Sequence, residues 1–188
     1  MSNDNIPCHY VCTQQRARKL VSERDHFWVS NCGCREQRGG CARSRTDICL
    51  VFNHEFGGSG SNLHEVDRSF VEGILREAED KRLVARPFRS QDRTQTDGIC
   101  FCCDDCCGYF LNPAETCDRG QLAEATAMAD CTHCGLCADV CHFQARRMED
   151  GLLVVAHDNC YGCGLCVDIC PEDCIRMMPA AEATAWRM

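Results

Sequence analysis

Between Ser69 and Lys81 the apolar residues Phe70, Val71, Ile74, Leu75 and Ala78 recur at helical spacing, with Glu72, Arg76, Glu77 and Glu79 on other faces. That period predicts an amphipathic helix. Ser69 and Glu72 fit an S-x-x-E capping box at its start, and the helix is expected to end near Lys81, before Leu83-Val84. A second helix is expected from Thr13, as its cap, to about Asp25, with Ala17, Leu20 and Val21 on one face. Phe27–Val29 and ICLVF (48–52) are short apolar runs and read as strands. FGGSGSN (56–62) reads as a flexible connection, and PFRSQDRTQTDG (87–98) as a polar stretch ending in a turn. Beyond Asn112-Pro113 a linker is expected to lead into another helix over about 119–129.

From Ala129 the chain repeats itself. CTHCGLCADVC (131–141) and CYGCGLCVDIC (160–170) are two copies of one pattern, which suggests one pseudo-symmetric unit. The organisation this implies is a cysteine-rich N-terminal module, 1–118, and a repeat domain with a C-terminal tail, 119–188. The fold class expected is α+β for both.

Composition sharpens the picture. The chain has 188 residues, of which 21 are cysteine. In a short secreted chain that density would mean disulfides, whereas in the cytosol it means metal. The sequence MSNDNIPCHYVC lacks the charged and apolar regions of a secretory signal, no apolar stretch is long enough to span a bilayer, and the cysteines fall in short-period clusters. A cytoplasmic protein without membrane insertion is therefore expected. The net charge is −8, which argues against a nucleic-acid surface. The charge is uneven: Leu122–Pro179 holds nine acids and three arginines, while residues 1–60 carry eight basic and six acidic residues.

Both repeat copies obey C-x2-C-x2-C-x3-C. Three thiolates at intervals of three wrap a loop around three corners of a cubane, and a fourth leads out to the neighbouring cluster. Gly135, Gly162 and Gly164 let backbone N–H groups approach the sulfurs. Zinc, which usually takes two separated pairs of ligands, matches such runs poorly. With these motifs, residues of about 122–179 resemble a bacterial-type ferredoxin with two [4Fe–4S] clusters. The resemblance implies a (βαβ)2 fold, with LLVVA (152–156) and IRMM (175–178) as hairpin strands. It also implies that one cluster is held by Cys131, Cys134, Cys137 and Cys170, and the other by Cys160, Cys163, Cys166 and Cys141. His142 stands where the family usually has proline, and Cys174 is an extra cysteine read as packing.

Upstream, Cys32 and Cys34 (in NCGCR), Cys41 and Cys49 precede the helix, and Cys100, Cys102, Cys103, Cys106 and Cys107 follow it in GICFCCDDCCGYF (98–110). Over about 28–110 this order of elements resembles a module found N-terminal to ferredoxin domains in uncharacterised iron–sulfur proteins of anaerobic bacteria and archaea. One or two further iron–sulfur clusters are the first reading of these nine cysteines. A structural zinc, for example on Cys32, Cys34, Cys41 and Cys49, is the alternative, with redox-active disulfides or buried thiols behind it. Cys102 and Cys103 would point in different directions from an extended chain and so serve two centres, whereas in a helix Cys102 and Cys106, or Cys103 and Cys107, would share a face. Asp104 and Asp105 read as solvated turn residues, with ligation as the alternative.

No C-x-x-C-H, G-x-G-x-x-G or P-loop motif occurs, and the seven histidines are scattered, so haem, dinucleotide and nucleotide sites are unsupported. The function expected is single-electron transfer through [4Fe–4S] clusters, as a subunit of a larger anaerobic oxidoreductase, with a redox protein as partner. The alternatives are an iron–sulfur enzyme or a redox sensor with an active or labile N-terminal cluster.

Overall fold

The computed structural model describes residues 5–112 and 116–186, and the chain divides into two units, Met1–Asp118 and Arg119–Met188. The first unit runs β1 (His9–Tyr10), α1 (Gln14–Ser22), β2 (Phe27–Ser30), α2 (Gly33–Gln37), β3 (Cys49–Val51) and β4 (His64–Val66). It continues through α3 (Arg68–Asp80), β5 (Val84–Arg89), β6 (Thr96–Cys102), α4 (Gly108–Leu111) and β7 (Cys117–Asp118). The strands form one sheet in the order β4-β2-β3-β6-β5-β1-β7. All the pairings are antiparallel except β1 with β7.

Alternation along the strands sorts the sheet into two faces. Ala17, Leu20 and Val21 of α1 and Val71, Ile74, Leu75 and Ala78 of α3 pack with Phe27, Val29, Leu50, Ala85, Ile99 and Phe101 of the strands. Each fully buried Val, Leu or Ile there contributes roughly 1.5–3 kcal/mol. On the other face Cys49, Val51 and Phe88 form a separate small core with Trp28 and Cys100 beside it. The central pairing β3–β6–β5 needs a glycine at position 98. A Cβ there would lie 2.3 Å from the Leu50 carbonyl oxygen and 2.2 Å from the Phe88 ring.

Both expected helices form. Thr13 Oγ1 accepts the Arg16 N–H at the start of α1. The cap of α3 differs from the expectation: Asp67, not Ser69, holds that place. Asp67 Oδ1 accepts the Phe70 N–H at 2.8 Å, and Ser69 donates its hydroxyl to the same oxygen. Residues 87–98 are also not one polar connection, because they hold the end of β5, a turn and the start of β6. Arg86 breaks the apolar run of β5, which hides the strand, yet its side chain is buried.

The second unit runs β8 (Leu122–Thr126), α5 (Leu136–Asp139), β9 (Arg146–Glu149), β10 (Leu152–Val155), α6 (Leu165–Asp168), β11 (Ile175–Pro179) and α7 (Ala180–Trp186). The expected helix over about 119–129 is instead the strand β8. LAEAT is rich in helix formers, but antiparallel pairing with β11, from Ile175↔Thr126 to Pro179↔Leu122, overrides that propensity. Residues 152–155 and 175–178 are strands, as expected, but only the first belongs to a hairpin. β10 pairs with β9 across Asp150-Gly151, whose positive φ values (48° and 79°) suit a tight hairpin turn. Each copy of the cysteine run therefore sits between two strands and carries a short helix. No helix among the described residues is long and apolar enough to cross a membrane.

Candidate metal centres

In each repeat copy the loop turns into its helix at a left-handed glycine, Gly135 before α5 and Gly164 before α6. The third cysteine of each run, Cys137 or Cys166, thereby lies on the helix and the first two on the loop. The first loop is pinned from both sides. The His133 N–H donates to the Cys131 sulfur, and His133 Nδ1 accepts the Leu153 N–H at 2.9 Å. That bond leaves the ring proton on Nε2 and makes His133 structural.

Two recesses result. One is lined by Cys131, Cys134, Cys137 and Cys170, with Cys174 beside them. The other is lined by Cys160, Cys163, Cys166 and Cys141. Each recess joins three cysteines of one run to the last cysteine of the other. Phe143 and Tyr161 stack at 4.5 Å between centroids and line the second. Burial pushes the Cys163 thiol up and the Cys166 thiol up to about 12. Such thiols become thiolates when a cation coordinates them. The donor set thus fits a cluster in each recess.

Arg146 stands against both sulfur sets. Its Nη1 donates to the Cys137 sulfur at 3.3 Å, and it lines the second recess. Glu124 and Thr126 take its Nη2, and Glu124 also holds His157 Nδ1 at 2.7 Å. Cys174 sits 3.5 Å from the Cys170 sulfur, and burial pushes its thiol up to about 12.

In the first unit the nine cysteines separate into three groups. Cys41, Cys103 and Cys106 form the first, with Cys41–Cys103 and Cys103–Cys106 sulfurs both 3.5 Å apart. Sulfur contacts run Cys32–Cys34–Cys107–Cys102 in the second. The Gly108 N–H donates to Cys34, and Arg86 Nη1 lies 3.4 Å from Cys107 and 3.7 Å from Cys102. The thiols of Cys107 and Cys32, with the Gly108 N–H and Arg86, hold Cys34 down to about 2. Cys49 and Cys100 face each other across β3 and β6. The Cys100 thiol leads in pulling Cys49 down to about 6.

The structure therefore does not gather Cys32, Cys34, Cys41 and Cys49 as one zinc site. They fall into three separate groups, because β3 carries Cys49 to the face opposite the Cys103–Cys106 turn. Cys102 and Cys103 do serve different groups. Asp104 and Asp105 are more than solvated: Asp104 pairs with Arg43 at 2.8 Å and Asp105 accepts the Ala42 N–H at 2.8 Å.

Sequence reasoning missed the three buried arginines, Arg35, Arg86 and Arg146, each beside a sulfur group. The available signal was an arginine directly after a cysteine motif (CGCR) or inside an apolar run (LVARPF). Residues 130–174 match the family described as the 4Fe-4S dicluster domain. No curated protein matches the chain.

Proposed function

We propose that this chain is an iron–sulfur electron-transfer protein that works as a subunit of a larger oxidoreductase of anaerobic metabolism. The carrying observation is the pair of recesses, each closed by three cysteines of one run and the fourth of the other. The pairing of β8 with β11 and β9 with β10 around α5 and α6 supports the (βαβ)2 arrangement. Cys131, Cys134, Cys137 and Cys170 are assigned to one [4Fe–4S] cluster, and Cys160, Cys163, Cys166 and Cys141 to the other. A bound cluster supplies reversible one-electron chemistry; the protein spaces, buries and tunes it.

The chain's own groups do the tuning. Arg146 places a buried positive charge beside Cys137. Phe143 and Tyr161 present stacked apolar surface to the second recess and limit water there. Nine acids against three arginines over Leu122–Pro179 favour a basic docking surface on the partner. In the first unit, Cys32, Cys34, Cys102 and Cys107 are the set for one further cluster, with Arg86 as its counter-charge.

Anaerobic iron and sulfide analysis, with EPR of the reduced protein, tests this reading. About twelve irons per chain are expected from three cubanes. About eight would confine clusters to the second unit and remove the first-unit set. Fewer than that, or no EPR signal on reduction, would remove the electron-transfer reading.

A further inference from the structure

We infer that Cys41, Cys103 and Cys106 form a mononuclear zinc site with three protein thiolates and one open position. The inference is independent of the electron-transfer reading and rests on spacing. In a tetrahedral ion with Zn–S bonds of about 2.3 Å, neighbouring sulfurs stand about 3.8 Å apart. The Cys41–Cys103 and Cys103–Cys106 sulfurs are 3.5 Å apart, and all three lie within 4.8 Å of one another. Sulfurs of the Cys32–Cys34–Cys107–Cys102 group also touch in sequence, but no three of them close to within 4.8 Å of one another, so only the first group is gathered round one point. Among the described residues, no trio in the repeat domain is drawn together in this way.

The local chain is built for the site. Cys103–Cys106 is a C-x2-C turn, a spacing common in zinc sites. The backbone N–H groups of Asp105 and Cys106 point at the Cys103 sulfur, and those of Arg43 and Ser44 at the Cys41 sulfur. Such donors orient and stabilise thiolates. The two loops are clasped by Ala42 N–H to Asp105 and by Arg43 to Asp104, both at 2.8 Å. Ser44 ties the Cys41 loop to α3 through Glu77 at 2.7 Å.

Charge balances as well. Zinc and three thiolates sum to one negative charge, and the thiol protons leave to solvent on binding. The fully buried Arg35 contacts Cys106 and supplies the matching positive charge. No fourth His, Cys, Asp or Glu among the described residues comes as close to all three sulfurs. The Asp105 carboxylate reaches the Cys41 sulfur but is not close to all three, which leaves the fourth position to an exchangeable ligand. Three protein ligands with an exchangeable fourth is the arrangement of zinc sites that bind substrate.

The test is zinc and sulfide analysis of the full chain with zinc K-edge EXAFS. The expected result is about one zinc per chain, with three sulfur scatterers at about 2.3 Å and one light atom. Cys103→Ser and Cys106→Ser should each bring zinc to background with acid-labile sulfide unchanged. The wild-type EXAFS stands even where a variant fails to fold. Four sulfurs around zinc, zinc absent from the wild type, or sulfide lost in a folded Cys103→Ser variant would each overturn the site.

Discussion

Arg146 Nη1 lies 3.3 Å from the Cys137 sulfur while its Nη2 is paired with Glu124, and both charged side chains are 1 % exposed. Burial opposes the guanidinium charge, but Cys166, Glu124 and Cys137 around it more than offset that, so Arg146 stays cationic. Arg146→Gln leaves the buried Glu124 with only His157 and Thr126 as partners, and loss of a buried charge partner costs roughly 3–5 kcal/mol. Chemical denaturation of the full chain should show that loss. Arg146→Met with Glu124→Gln should recover most of it, because neither charge is then stranded. If the single and double variants are equally unstable, the pair is not the source of the effect.

Two glycines at different places in the cysteine runs differ in what a side chain would meet. Gly135 is matched by Gly164 in the second copy, whereas the place of Gly162 is held in the first by His133, with φ 53°. At Gly162, φ is +77° and a Cβ would sit 2.1 Å from the Leu122 carbonyl oxygen. At Gly135, φ is +84° but the nearest neighbours are Met148 side-chain atoms at 3.6 Å and beyond. Gly135→Ala therefore meets only the left-handed backbone penalty, about 1 kcal/mol. Gly162→Ala must also push the loop off β8. The expected result is near-normal iron content in Gly135→Ala and a loss of about half the repeat domain's iron in Gly162→Ala. Equal iron in the two variants would mean that the loop tolerates the shift.

Asp67 and Ser69 separate two accounts of one helix start. The sequence motif S-x-x-E points to Ser69, while the structure gives the Phe70 N–H to Asp67. Asp67→Ala removes the acceptor of an otherwise orphaned helix N–H. Ser69→Ala removes only a hydroxyl that donates to that acceptor. Urea midpoints should fall more for Asp67→Ala than for Ser69→Ala; the reverse order would restore the capping box.

What could be read from the chain alone follows how local each feature is. The cysteine runs are legible because three sulfurs of each recess come from one loop, so spacing carries the geometry. The first-unit groups are not legible from spacing, because residues 32–41 and 100–107 meet only through the sheet order β3-β6-β5. Cys102 and Cys103 part because β6 ends at Cys102 and Cys103 leads into the turn that follows, not through strand alternation. The helix α3 is legible because its apolar stripe matches its buried face. The strand β8 is not, since Ala and Glu favour helix and only pairing with β11 makes it extended. Buried arginines mislead for a related reason: a charge in a strand reads as surface unless its counter-charge, here sulfur, is known.

The α1–α3 contact carries a pH signature. Arg18 donates from Nε and Nη2 to the two carboxylate oxygens of Glu79, at 2.7 and 2.8 Å, and from Nη1 to Glu72 at 3.0 Å. The Arg18 hydrogen bonds hold Glu79 below the ordinary glutamate range. A depressed folded-state value means that the stabilisation is complete above the unfolded value, about pH 4.3. It is lost as pH falls through the lower folded-state value. Both side chains are more than a third exposed, at 37 % and 35 %, so solvent screening limits the pair to at most about 1 kcal/mol. Arg18→Met should therefore lower the urea midpoint modestly at pH 7, and the gap from wild type should close only in acid below the glutamate range. Urea unfolding followed by helical circular dichroism at a series of pH values measures it. A gap independent of pH would assign the effect to the packing of the Arg18 stem on α3 instead of to its charge.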